Sequence, residues 1–184
     1  GSIGFNWNES QTSFMQGRAA MWLDGIGFAP PLEDPTKSRI VGKVGYGVTP
    51  AGPKAWHSAM FGDGIGMPEA TRKKGAAFLY LQWATGKANM LKLLQSGGGV
   101  PPRKSPFADP AAITGNRFGP EWFATMLKSN EIARPGLPVI IPVTEFRDNF
   151  GIALTNAIGG ADVATELRKT TAEFQPILAR SEQS

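Results

Sequence analysis

The sequence has no cysteine in 184 residues and a single histidine, His57. The first absence excludes disulfide frameworks, thiolate metal sites and cysteine nucleophiles, and is compatible with an oxidising compartment. The second leaves no histidine pair at metal-ligand spacing and no Gly-x-Ser-x-Gly elbow with a histidine partner. His57 is expected to be a surface or hydrogen-bonded structural residue, with no catalytic, metal or cofactor site. Long apolar runs are missing too, so membrane insertion is not expected. One-signed charge is sparse: the formal net charge is +4, and the cations cluster only at Arg72-Lys73-Lys74 and Arg103-Lys104. Without a basic stripe interleaved with aromatics, nucleic-acid binding is not expected. Phosphate loops are absent, because Gly86-Lys87 is followed by alanine and Gly97-Gly-Gly99 by no lysine and hydroxyl residue. The alternate glycines Gly62, Gly64 and Gly66 lack the later glycine and the helix of a dinucleotide fingerprint.

What is present is the composition of a globular protein, 41% hydrophobic and 18% charged, in a chain long enough for one respectable domain. The pattern is α/β with glycine-rich strand ends. A helix is expected over Asn6 to Gln16, capped by Asn8, with Trp7, Gln11, Phe14 and Met15 on one inward face and Gly17 as its left-handed stop. Ala19 to Leu23 has the length of a buried strand. Phe28 to Pro35 is proline-rich and predicts a loop or a single helical turn. Val44 to Thr49 and Phe61 to Pro68 alternate apolar residues with glycine, as strands approached closely by something else.

Thr71 to Thr85 is expected to be a helix with Ala77, Tyr80, Leu81 and Ala84 inward, and Lys87 to Gln95 a second one. Val100 to Pro106 is a loop presenting Arg103. A helix near Pro120 to Lys128 turns Trp122, Phe123, Met126 and Leu127 inward. After a linker-like turn at Arg134 to Pro138 and a brief apolar piece at Val139 to Ile141, two helices close the chain. One covers Thr144 to Ile158 and stops at Gly159-Gly160; the other starts at the N-cap Asp162 and buries Ala164, Leu167, Phe174 and Leu178.

Chemistry that suits a hydroxyl-rich ligand gathers at Trp22, Asp24 and Gly25: a carboxylate accepts hydrogen bonds from hydroxyls and a flat ring covers the C–H face of a sugar. The alternative at this point is a core tryptophan beside a turn aspartate. The run Phe14-x-x-Gly17-Arg-Ala-Ala-Met21-Trp-Leu-Asp24, followed by Gly42-Lys-Val-Gly45-Tyr-Gly-Val-x-Pro50-Ala-Gly-Pro53, resembles the C-terminal half of extracellular solute-binding proteins of ABC sugar importers, closest to the subset that binds polyols. Ile65-Gly-Met-Pro68, Lys73-Lys74, Leu81-x-Trp83-Ala-Thr85 and Val100-Pro-Pro-Arg-Lys-Ser105 continue the similarity in order.

The resemblance implies part of a two-lobed, helix-rich α/β fold of the periplasmic-binding-protein kind with the N-terminal half missing. Residues 1–43 would belong to the second lobe, 44–99 to the first, and 100–184 would return to the second. It implies a periplasmic or extracellular protein that captures a sugar or polyol, delivers it to ABC permease subunits and turns nothing over. The fragment would pair with its missing half or self-associate through exposed lobe surface. Trp22 and Asp24 match the strand-end tryptophan and aspartate of the polyol subset. Phe61 and Asp63 stand at two positions commonly tryptophan there, a departure that bears on which ligand is held. Arg103 matches the arginine after the Pro-Pro turn, and Glu145, Phe146 and Arg147 match the start of the penultimate helix. Two other readings stay open: a glycoside hydrolase pairing carboxylates such as Asp24, Asp63 and Glu145 about 5 to 10 Å apart, and an autonomous carbohydrate-recognition module.

Overall fold

The computed structural model describes residues 2–116 and 118–183. It is a helix-rich α/β arrangement whose strands are confined to one two-stranded sheet among the described residues. The chain divides into two compact units, one covering Asn6–Arg134 and the other Pro135–Ser184 with the first five residues.

The larger unit opens with helix α1 (Trp7–Met15), which starts on Asn6 rather than on Asn8. Asn6 Oδ1 accepts from the Asn8 N–H at 2.8 Å, and Glu9 Oε2 accepts from the Asn6 N–H at 3.1 Å. That capping box satisfies the free donors of the first turn, and Asn8 lies one residue too late to form it. At the other end Gly17, at φ +71°, donates to Phe14 O at 2.8 Å while Arg18 N–H reaches Ser13 O at 3.1 Å. These two bonds close the last turn as the glycine predicted.

Three expected strands do not form. Residues 19–23 run as irregular backbone with Met21 and Leu23 largely exposed, and residues 44–49 and 61–68 are likewise without strand pairing. A strand exists only where a partner offers a ladder of donors and acceptors. At Tyr46 side chains of α5 (Gly119–Glu131) take that place: Glu121 Oε2 accepts from its N–H at 3.2 Å, and Thr125 Oγ1 donates to its carbonyl at 3.0 Å. The sheet instead pairs β1 (Ser58–Met60) with β2 (Ala133–Pro135), the latter at the start of the expected linker turn.

Helices α2 (Lys74–Ala84) and α3 (Lys87–Ser96) fall where the periodicity placed them. Gly97 ends α3 at φ +69°, and the Phe118 ring packs where a Cβ would stand, so no other residue fits. A short helix α4 (Ala111–Thr114) precedes α5. The core of this unit is Ala29, Leu94, Ala112, Phe118, Trp122, Phe123 and Met126. Trp122, Phe123 and Met126 are inward as expected, but Leu127 is exposed and Thr125 is buried, because Thr125 holds the Tyr46 carbonyl. On α2, Tyr80 is exposed together with Phe78, Leu79 and Trp83.

The smaller unit is a hairpin of α6 (Val143–Ile158) and α7 (Val163–Ser181), with Gly159-Gly160 between them. Phe146 stacks on Phe150 at 5.6 Å and meets Phe174 edge-on at 5.6 Å. Asp162 caps α7 as expected, its Oδ1 accepting from the Thr165 hydroxyl at 2.6 Å and N–H at 2.8 Å. These two bonds, the hydroxyl's first, hold its carboxyl below the ordinary value of 3.8. Ala164 and Leu167 are exposed rather than buried, and Phe174 and Leu178 are half-buried. A two-helix hairpin has one seam, so a wide apolar stripe cannot all be covered.

Candidate functional site

Trp22 and Asp24 lie on the irregular stretch that leads into a 3₁₀ turn at Ile26–Phe28. This stretch is fixed at several points. The buried Gln11 side chain donates to Phe28 O at 2.9 Å, and the Trp122 ring N–H donates to Ile26 O at 3.1 Å. Both donors come from helices, so the turn is clamped between α1 and the core.

The clamp assembles a row of rings. Trp7 stacks on Phe28 at 5.0 Å with 11° between planes; Trp22 is tilted on Phe28 at 6.4 Å and on Phe14 at 6.1 Å. Pairs at such separations prefer offset or tilted geometry, as found here. Gly25 lies against this row: a Cβ there would come within 3.3 Å of the Phe28 ring. Asp24 thus precedes a glycine whose backbone packs closely on the Phe28 ring, where an added Cβ would press the ring by a few tenths of an ångström. Asp24 is exposed; Oδ1 accepts the Gly25 N–H at 2.7 Å, and Oδ2 has no hydrogen-bond partner among the described residues. A carboxylate with one fixed and one open oxygen, two residues from Trp22, is able to accept a hydroxyl.

The other expected site residues are placed as follows. A Cβ added at Gly27 would meet Gly99 Cα at 3.6 Å, so the backbone leading to the loop that bears Arg103 passes close to the Ile26–Phe28 turn. Arg103 itself is exposed and uses its Nε to hold Thr85 O at 2.6 Å, past the end of α2, where a cation complements the carbonyl dipoles. Its terminal nitrogens carry no hydrogen bond among the described residues. Phe61 and Asp63 are exposed on residues 61–68, and neither side chain makes a ring contact or hydrogen bond among the described residues. Glu145, Phe146 and Arg147 begin α6 in the smaller unit, where Phe146 is engaged by Phe150 and Phe174. Arg147 borders a depression of about 460 Å³ with Asp148, Gly151, Ile152, Thr155 and Asn156. All six residues belong to one helix, so this is an open helix face and not a cleft.

Trp7 and Phe28 were not among the expected site residues, yet Phe28 contacts both Trp22 and Trp7. Trp7, expected in the core, is half-exposed instead. The only local signal was the helix cap before Trp7, which sets its ring at the tip of α1. Near the same segment, Tyr46 is half-buried and its hydroxyl has no hydrogen-bond partner among the described residues. Burial, reinforced by the Glu33 and Glu121 carboxylates, pushes its phenol up to about 12.

Residues 1–91 match the model of the bacterial extracellular solute-binding protein family. The chain belongs to that family. It is 30% identical over 159 residues to an erythritol/L-threitol-binding protein of Mycolicibacterium smegmatis, covering 83% of this chain and 32% of that protein. It is also 30% identical over 104 residues to a probable amino-acid ABC transporter periplasmic-binding protein of Sinorhizobium fredii, covering 56% of this chain and 22% of that protein. The chain thus spans about a third or less of the length of these relatives. No solved structure matches it. Trp22, Asp24, Phe61 and Asp63 fall inside the matched segment; Arg103, Glu145, Phe146 and Arg147 fall beyond it. Among the described residues no helix is long and apolar enough to cross a membrane, and no three His, Cys, Asp or Glu side chains gather as for a metal.

Proposed function

We propose that the chain is part of the binding component of an ABC importer, working in the periplasm or outside the cell, and that it captures a polyol or other sugar and passes it unaltered to the permease. The observation that carries this is the exposed Asp24 carboxylate two residues along the chain from Trp22, whose ring joins a row with Phe28 and Trp7, within the segment that matches the family. The relative whose name records erythritol and L-threitol binding points to the same ligand class. In this proposal residues 1–43 and 100–184 contribute to one lobe and 44–99 to another, and the two close about the solute. Phe61, Asp63 and Arg103 add to the binding wall, together with chain from the rest of the protein.

The test is a titration of tryptophan fluorescence with tetritols, hexitols, hexoses and amino acids, on this chain and on the full reading frame that encodes it. Saturable change with polyols or sugars is expected, with no hydrolysis of chromogenic glycosides. Saturation by amino acids alone refutes the ligand class, and turnover lost in Asp24→Asn refutes the transport role in favour of a hydrolase.

A further inference from the structure

Charge is distributed unevenly along the chain. All 15 carboxylates lie outside residues 70–108, whereas seven of the 19 cations lie within that segment, so the net charge of +4 conceals a strongly basic stretch in an otherwise acidic chain. All seven cations are exposed, and among the described residues only Lys87 meets a carboxylate, Asp109 at 3.8 Å. Folding gathers most of them at the two ends of α2. Arg72, Lys73 and Lys74 stand at its start. Just past its end, Arg103 Nε holds Thr85 O at 2.6 Å and carries Lys104 with it, and Lys87 opens α3 two residues on. The 11 residues of α2 span about 16 Å and include no carboxylate and no buried side chain. They expose Phe78, Leu79, Tyr80 and Trp83, and the last two rings touch at 5.7 Å.

We propose that α2 and its two basic ends form a docking surface for the anionic phospholipid face of a membrane, on which the protein lies without crossing it. Charge complementarity selects this occupant. A second copy on the same face would set like charge against like, whereas lipid phosphates neutralise both ends of the helix. The cations flank the aromatic side chains and do not alternate with them, as they do where stacked bases lie between phosphate contacts. Aromatic and aliphatic side chains between basic ends make up a helix suited to the bilayer interface, where rings settle at the headgroup level and cations reach the phosphates on either side. The assignment builds on the importer reading only in placing the protein beside a membrane. Adsorption there would confine its search for the permease to the membrane surface.

Co-sedimentation of the wild-type chain with vesicles of phosphatidylcholine, alone or with about one part in three phosphatidylglycerol, tests this. Binding to the anionic vesicles is expected to be at least about tenfold tighter than to the neutral ones, and to weaken as salt rises from about 0.1 to 0.5 M. The double reversal Lys73→Glu, Lys74→Glu and the single change Trp83→Ser each weaken it about tenfold, while the matched reversal Arg168→Glu, Lys169→Glu on α7 leaves it unchanged. Equal binding to the two kinds of vesicle, or equal loss in the two reversals, overturns the proposal. So does tighter binding of a single-stranded oligonucleotide than of the anionic vesicles, which assigns the basic ends to nucleic acid. Far-UV circular dichroism verifies the fold of each variant, and the comparison of vesicles on the wild-type chain depends on none of them. Absent vesicle binding with polyol binding intact removes this docking surface alone; the reverse outcome removes the solute-binding reading alone.

Discussion

At Asp24 and Tyr46 single residues show how neighbours redirect ordinary chemistry. The Asp24 carboxylate is half committed, one oxygen to its own turn and one to solvent, and the next residue, Gly25, packs its backbone closely on the Phe28 ring. Tyr46 is the opposite case, a phenol enclosed without a hydrogen-bond partner among the described residues and under the influence of two carboxylates, Glu33 and Glu121. Its neutral form is favoured in the folded chain, so the stability this gives is complete below the ordinary value of 10.0 and is lost as pH rises through about 12. In an alkaline titration followed by phenolate absorbance, Tyr46 ionises only near pH 12, and Tyr46→Phe removes that late step. A step near pH 10.0 that disappears in Tyr46→Phe contradicts the buried environment described for it.

Among the elements, helices were legible in the sequence and strands were not. Helix ends are written locally: Gly17, Gly97, Asp162 and Gly159-Gly160 stop or start helices where their chemistry requires. Residues 19–23, 44–49 and 61–68 carry apolar runs or glycine alternation of strand type, but a strand depends on a partner that local pattern does not reveal. Nothing near Tyr46 in sequence announces that Glu121 and Thr125 take its backbone groups. The same limit governs the site. Trp22 and Asp24 were visible as a motif, whereas the stack of Trp7 on Phe28 depends on Gln11 reaching across from α1. Helix α5 organises the larger unit, because Trp122 is fully buried, carries the Ile26 bond and packs on Phe118 at 5.3 Å. Trp122→Ala is expected to cost about 3–5 kcal/mol, measured by urea unfolding, and to loosen the turn that bears Asp24. A loss below about 1 kcal/mol contradicts this role for α5.

For the molecule as a whole, the family match and the length of the relatives frame the exposed apolar surface. No residue of α2 is fully buried, and Phe78, Leu79, Tyr80 and Trp83 all face outward. Tyr80 and Trp83 touch at 5.7 Å, and with the exposed Phe78 and Leu79 the helix presents an amount of apolar surface of the kind that marks an interface. In sedimentation velocity the chain is expected to self-associate as concentration rises, and the double variant Phe78→Ser, Trp83→Ser to shift it towards monomer. A concentration-independent monomer contradicts that expectation.

The central claim is that the turn carrying Trp22 and Asp24 grips a hydroxyl-rich solute. Its most direct test is calorimetric titration of erythritol into the wild-type chain and into Asp24→Asn, with folding of both verified by circular dichroism. Saturable binding that weakens at least about tenfold in the variant is predicted, since Asp24 offers a charged acceptor to a hydroxyl. Equal affinity in the two proteins contradicts the account.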